Sequence, residues 1–234
     1  MTKSLYMEDC YLKEFDAKVV SVDENQIELD QSAFYPESGG QPTDLGTLES
    51  NRTVYNIVKV RKDKGKILHE VDNPGLKVGD EVFGKIDWER RHVLMRYHTG
   101  SHILSTVIHN HTGAEITGNQ IYLDRARDDF NTEEFDREKM VDYVAEANAI
   151  IAKNLPVTLT MMPRDEAFKI PALVKLKMML PETIKNIRVV DIKGFDKQAC
   201  AGTHVKNTEE IGTIKITEMK NKGAGNRRVY WVLE

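Results

Sequence analysis

Apolar and polar positions alternate in short runs through the first third of the chain. Residues 17–22 and 26–29 alternate on either side of Asp23-Glu24-Asn25, the pattern of a β-hairpin. Residues 54–60 and 67–71 flank a turn at Lys62-Asp63-Lys64-Gly65. Val78-Gly79-Asp80-Glu81-Val82 then leads into residues 84–87, and Ser38-Gly39-Gly40-Gln41-Pro42 is a tight Gly/Pro turn. Evenly spaced short strands without a helical period predict a small β-barrel or sandwich.

The period changes at about Trp88. Between residues 89 and 111, Val93, Leu94, Tyr97, Leu104, Val107 and Ile108 recur at helical spacing, and Gly113 is a C-terminal stop. Strands are expected at 119–123 and 126–130. Asp136 caps a second helix with Met140, Val141, Val144, Ala147 and Ile151 along one face, ended by Asn154-Leu155-Pro156. Residues 157–162, 187–192, 213–219 and 228–233 read as strands. Residues 164–173 and 175–179 read as helical or turn-like, interrupted by Pro171 and Pro181. The second half is therefore α+β with a mostly antiparallel sheet. The expected division is 1–87, barrel-like, and 88–234, α+β.

Composition narrows the class. The 234 residues contain no apolar run of the ~18 residues that a membrane-spanning helix needs, and the first residues do not form a signal segment. The expectation is a cytoplasmic protein without a membrane partner. Two cysteines, Cys10 and Cys200, are too few for a disulfide framework; Cys10 reads as a small buried apolar residue. A formal net charge of −4 argues against a general nucleic-acid binder but leaves room for a local basic patch.

Candidate chemistry lies in two pairs. In His98-Thr99-Gly100-Ser101-His102 the histidines sit one helical turn apart on one face. Cys200-Ala201-Gly202-Thr203-His204 adds a thiolate and an imidazole, which completes an N/S set suited to one Zn²⁺. About a hundred residues separate the pairs, so the fold must assemble them. That suits a catalytic ion better than a structural finger, whose ligands are local. Gly100 and Gly202 would let a substrate approach closely. The ion could activate water or orient the substrate. No His-Glu-x-x-His base is present, which favours an activated ester over an amide. His109 and His111 read as solvent-facing, and His69 and His92 as surface or core histidines without a partner.

Two loops stay ambiguous. Phe34-Tyr35-Pro36-Glu37-Ser38-Gly39-Gly40-Gln41-Pro42 is either a hairpin turn or a backbone N–H donor site. Lys215, Lys220, Lys222, Arg227 and Arg228 around Gly223-Ala224-Gly225-Asn226 are either a solvated hairpin or a phosphate grip. Lys59, Arg61, Lys62, Lys64 and Lys66 form another basic cluster, and the acidic runs Asp128-Asp129 and Glu133-Glu134 offset these charges.

In combination and order, the metal-type pairs, the Phe34–Pro42 motif and Gly223-Ala224-Gly225-Asn226-Arg227-Arg228 resemble the editing region of alanyl-tRNA synthetase. They resemble the free-standing AlaX-type editing proteins more closely, and the medium-length class in particular. The resemblance covers nearly the whole chain. It implies a zinc-dependent hydrolase that acts in trans on mischarged alanine tRNA, with serine and then glycine as cargo. It implies one zinc held by His98, His102, Cys200 and His204, which are also the catalytic set; His204 is either a looser ligand or acts on the water. Ser32, Gly39, Gly40, Ser101, Thr117, Asn119, Arg227 and Arg228 are the implied substrate contacts. A non-catalytic zinc module that binds tRNA and a zinc hydrolase of a small ester are the alternatives, and a homo-oligomer is left open.

Overall fold

Strand alternation becomes a closed barrel in the first half of the chain. A computed structural model describes residues 2–133, 136–170, 173, 182–223 and 225–234. The predicted stretch 175–179, Pro171, Pro181, Glu134 and Ala224 lie outside the described residues. Contacts divide the chain into two units, Met1–Met95 with Ile121–Leu123, and Arg96–Gln120 with Asp124–Glu234.

In the first unit the strands are β1 (Lys3–Ser4), β2 (Glu14–Asp23), β3 (Gln26–Leu29), β4 (Gln31–Ser32), β5 (Gly46–Ser50), β6 (Thr53–Asp63), β7 (Lys66–Val71) and β8 (Glu81–Ile86). Six of them close an antiparallel barrel in the order β2-β3-β7-β6-β5-β8. Phe15, Ala17 and Val19 alternate inward from β2 and meet Ile27, Leu29, Leu48, Ile57, Val60, Ile67, Val71 and Val82 in one core. β5 was absent from the sequence reading because Leu48 is its one buried large apolar side chain. Ser38 and Gln41 exchange backbone hydrogen bonds around Gly39 and Gly40, whose φ values of 57° and 77° define a two-residue turn that favours glycine at both centres.

His69 has partners that its sequence context concealed. It is fully buried in the barrel, where its Nε2 lies 2.7 Å from Ser32 Oγ and its Nδ1 3.0 Å from the Ile27 carbonyl. Burial pushes its pKa down to about 4. Ser32 Oγ in turn accepts from the Phe34 amide at 3.2 Å, so this pair shapes the entry to the glycine motif. Much of the basic cluster is neutralised locally: Lys59 pairs with Glu37, Arg61 with Asp63 and Lys66 with Glu28.

Beyond β8 the chain turns helical at α1 (Trp88–Thr112), and Gly113, with φ 72°, ends it through a bond from its amide to His109. The second unit continues with β9 (Ile116–Ile121), β10 (Ala126–Phe130), α2 (Arg137–Ile151), β11 (Val157–Pro163), α3 (Arg164–Ala167), β12 (Asn186–Ile192), β13 (Asp196–Ala199), β14 (Ile214–Asn221) and β15 (Arg227–Leu233). Two antiparallel sheets form, β14-β15-β10-β9 and β11-β12-β13. Asp136 caps α2 by accepting from the amides of Glu138 and Lys139. Met140, Ala147 and Ile151 are buried as expected, but Val141 is 69% exposed and belongs to the outer face. No described helix is long and apolar enough to cross a membrane.

Candidate metal centre

The buried middle of α1 sets the first half of the site. Leu94, Met95, Ile103, Leu104 and Val107 are solvent-free, and His98 and His102 lie among them on the helix. The second half comes from β13, which pairs with β12 from Val189↔Ala199 to Ile192↔Asp196 and delivers Cys200 at its end. Asp196-Lys197-Gln198 has no apolar alternation, so this strand was not predicted. Arg188, in β12, is buried and donates from Nη1 to the carbonyls of Cys200 (2.9 Å) and Gly202 (2.6 Å), fixing the loop that follows.

His98, His102, Cys200 and His204 converge, with one donor atom from each lying within 4.8 Å of the others. Cys200 Sγ is 3.4 Å from His98 Nε2 and 3.3 Å from His204 Nε2. Zinc bonds of ~2.0–2.1 Å to nitrogen and ~2.3 Å to sulfur give tetrahedral edges of about 3.3–3.6 Å, so both separations fit one shared ion. His102 Nδ1 is a buried nitrogen without a hydrogen-bond partner. Burial, with His102 and Arg188 close by, pushes the His98 pKa well below the ordinary imidazole range. Burial and Arg188 bring His102 to about 4, and burial with both other histidines and Arg188 lowers His204 strongly. Neutral imidazoles are the form that ligates. The donor set fits zinc.

Supporting bonds orient the set. Thr99 Oγ1 lies 3.1 Å from His204 Nδ1 and accepts from the Val205 amide at 3.2 Å, which leaves His204 Nε2 turned toward Cys200. The Gly202 amide donates to Cys200 Sγ at 3.3 Å, a bond that favours thiolate. The two glycines make room for side chains of the protein itself. A Cβ on Gly202 would sit 1.9 Å from His98 Cε1, and one on Gly100 would sit 2.9 Å from Trp231 Cη2.

The remaining predicted contacts are distributed over both units. Ser32 is fully buried, and Gly39 and Gly40 occupy the barrel turn. Ser101 Oγ donates to Asp128 at 2.8 Å and is itself buried. Thr117 and Asn119 lie on β9, Thr117 exposed with its Oγ1 donating to the Asp129 carbonyl at 3.4 Å and Asn119 half-buried. Arg227 donates to the carbonyls of Gly223, Asn226 and Glu133 and to Asn221, tying the hairpin together. Arg228 forms a fork on Asp129 at 2.6 and 2.8 Å. His109 and His111 are exposed at the helix end, where His111 pairs with Glu146.

Asp128, one half of the acidic run Asp128-Asp129, is buried between Ser101 and Trp231, whose Nε1 donates at 2.7 Å. Burial raises its pKa to about 6 against the lowering effect of those two bonds. A carboxyl whose folded pKa exceeds its unfolded value holds its proton more tightly when folded. Its contribution to stability is present below about pH 4 and is lost as pH rises through 6. Wild type should therefore lose on the order of 2–3 kcal/mol relative to Asp128→Asn between pH 4 and 7, measured by urea unfolding. A pH-independent difference between the two proteins would show that Asp128 ionises normally.

Comparison with known sequences gives two family matches. Residues 4–90 match the family described as tRNA synthetases class II (A), and residues 187–230 match the Threonyl and Alanyl tRNA synthetase second additional domain. The chain is 48% identical to the Alanyl-tRNA editing protein AlaX-M of Methanosarcina barkeri, with 100% of this chain and 99% of that one covered. It is 42% identical to the AlaX-M protein of Saccharolobus solfataricus, with both chains fully covered. It is 39% identical to the Alanine--tRNA ligase of Thermococcus kodakarensis, of which it covers 27%. Identity at this level, sustained from end to end, makes the chain a member of the AlaX-M family of alanyl-tRNA editing proteins.

Proposed function

We propose that this protein is a trans-acting editing deacylase that hydrolyses the ester of mischarged alanine tRNA, with serine as its main cargo and glycine as a second, using one zinc. The convergence of His98, His102, Cys200 and His204 on one centre carries the reading. The full-length likeness to AlaX-M proteins supports the substrate class. Bound there, zinc would supply a Lewis acid for the ester or its attacking water, or a hold on the amino acid. Thr99 keeps His204 Nδ1 engaged, and Arg188 keeps the Cys200–Gly202 backbone in place.

Alanine lacks the serine hydroxyl, so size cannot exclude it from a pocket that fits serine. The site must hydrogen-bond that hydroxyl and leave polar groups unpaired when alanine binds. Thr117 and Asn119, on β9, are the candidates. Ser101 commits its proton to Asp128 and offers lone pairs. Ser32 acts through the motif that it helps to shape, and Gly39, Gly40, Arg227 and Arg228 contribute toward the RNA.

The test incubates the full chain with seryl- and alanyl-charged alanine tRNA, with and without chelator. Seryl ester loss at least about tenfold faster than alanyl ester loss, abolished by chelator, is expected. Equal cleavage of both esters would remove the proposed specificity. Retention of tRNA without hydrolysis would instead favour a binding module.

A further inference from the structure

One side of the sheet β14-β15-β10-β9 is dry and the other is charged. Side chains alternate sides along a strand, and lateral partners share a side. Ala126, Asp128, Phe130, Val229 and Trp231 are buried on the inner side. The other side carries the row Arg127, Tyr230, Glu218 and the row Asp129, Arg228, Lys220, set by the register of β10 with β15 and β15 with β14. Arg228 forks onto Asp129, and Lys220 pairs with Glu218 at 2.9 Å. Those two pairs cancel. Arg127 and Lys222 remain in excess, and the charges of both act on Asp129. The Tyr230 ring has Lys220 Nζ 5.2 Å and Arg228 Cζ 5.9 Å from its centroid. Arg127 Nε is buried and meets no hydrogen-bond partner among the described residues.

The enclosed Nε is out of reach of an outside oxygen, but Arg127 as a whole is half-buried, so the residue still meets solvent and an incoming anion. A guanidinium donor points to an anion with several oxygens, and phosphate matches its fork. The local excess of positive charge stands on a chain whose formal net charge is −4. We infer that this sheet face binds the sugar–phosphate backbone of the RNA that carries the ester, with Arg127 as the leading phosphate contact and Lys220 and Lys222 beside it. The inference rests on the reading that RNA is the substrate's carrier. Such contacts set position and affinity without reading sequence.

Binding of uncharged alanine tRNA to the full chain, titrated across monovalent salt, tests this without requiring hydrolysis. Arg127→Gln is expected to weaken binding about 5- to 10-fold at 0.1 M salt and to flatten the slope of log K against log salt by about 0.9. Lys220→Gln/Lys222→Gln should flatten it by up to about 1.8, and its exposed positions keep the test open where Arg127→Gln is poorly folded. An unchanged affinity and slope in the double variant, with thermal midpoint preserved, overturns the inference. Flattened slopes in a protein that cleaves no aminoacyl ester would uphold this surface and dismiss the deacylase reading. Active deacylation with unaltered slopes would do the reverse.

Discussion

Replacing Gly202 by alanine is expected to abolish the proposed zinc binding and ester hydrolysis while leaving the chain folded. The added Cβ would lie 1.9 Å from His98 Cε1 and 2.4 Å from its Nδ1, far inside van der Waals contact. Arg188 pins the Gly202 carbonyl at 2.6 Å, so the loop cannot retreat without breaking a bond to a buried guanidinium. The imidazole must therefore swing out, taking Nε2 away from Cys200 Sγ. Loss of a supporting group alone costs metal affinity about 10- to 100-fold, and displacing a ligand should exceed that. Zinc-to-protein ratio after dialysis against a weak chelator is the direct readout, expected near one for wild type and near zero for the variant. Circular dichroism in parallel reports the fold. A variant that retains stoichiometric zinc would place the ion elsewhere or leave His98 out of its shell.

That single contact also shows what a sequence conveys and what it hides. The spacing of His98 with His102 and of Cys200 with His204 was legible because a helical turn and a short loop are local geometry. Glycine beside a ligand signalled close approach, but not what approaches: at Gly202 it is His98 and at Gly100 it is Trp231. Arg188 was invisible because an arginine inside an apolar strand reads as an interruption, and its bonds to residues 200 and 202 arise only when β13 pairs with β12. Asp128 and Asp129 are adjacent in sequence and opposite in role, since a strand sends one inward to Ser101 and Trp231 and the other outward to Arg228. The barrel was legible wherever apolar residues alternate and obscure at β5; in the second unit β13 was obscure for the same reason, since hydrogen-bonded pairing stabilises both of these largely polar strands.

The first unit depends on a buried ion pair that no motif singles out. Arg91 and Asp44 are both solvent-free. Arg91 Nε lies 2.8 and 2.9 Å from the two Asp44 oxygens, and its Nη2 also bonds Asp44. The guanidinium donates further to the carbonyls of Cys10 (2.9 Å) and Ala33 (2.6 Å), and Asp44 accepts from the Tyr35 amide at 2.6 Å. The pair thus joins α1 to the start of the Phe34–Pro42 motif, within one unit. Arg91→Met keeps most of the volume but leaves a carboxylate buried without its cation, together with two carbonyls that lose a donor. A loss of about 3–5 kcal/mol is expected, read as a lower urea midpoint. Arg91→Met/Asp44→Asn removes the stranded charge as well, so it should be more stable than Arg91→Met alone although it contains one more substitution. The carbonyls of Cys10 and Ala33 remain unsatisfied in both, so the double variant should stay below wild type. Strictly additive losses would show that the two groups do not act as a charge pair, and a single-variant loss under about 1 kcal/mol would show that water replaces the guanidinium.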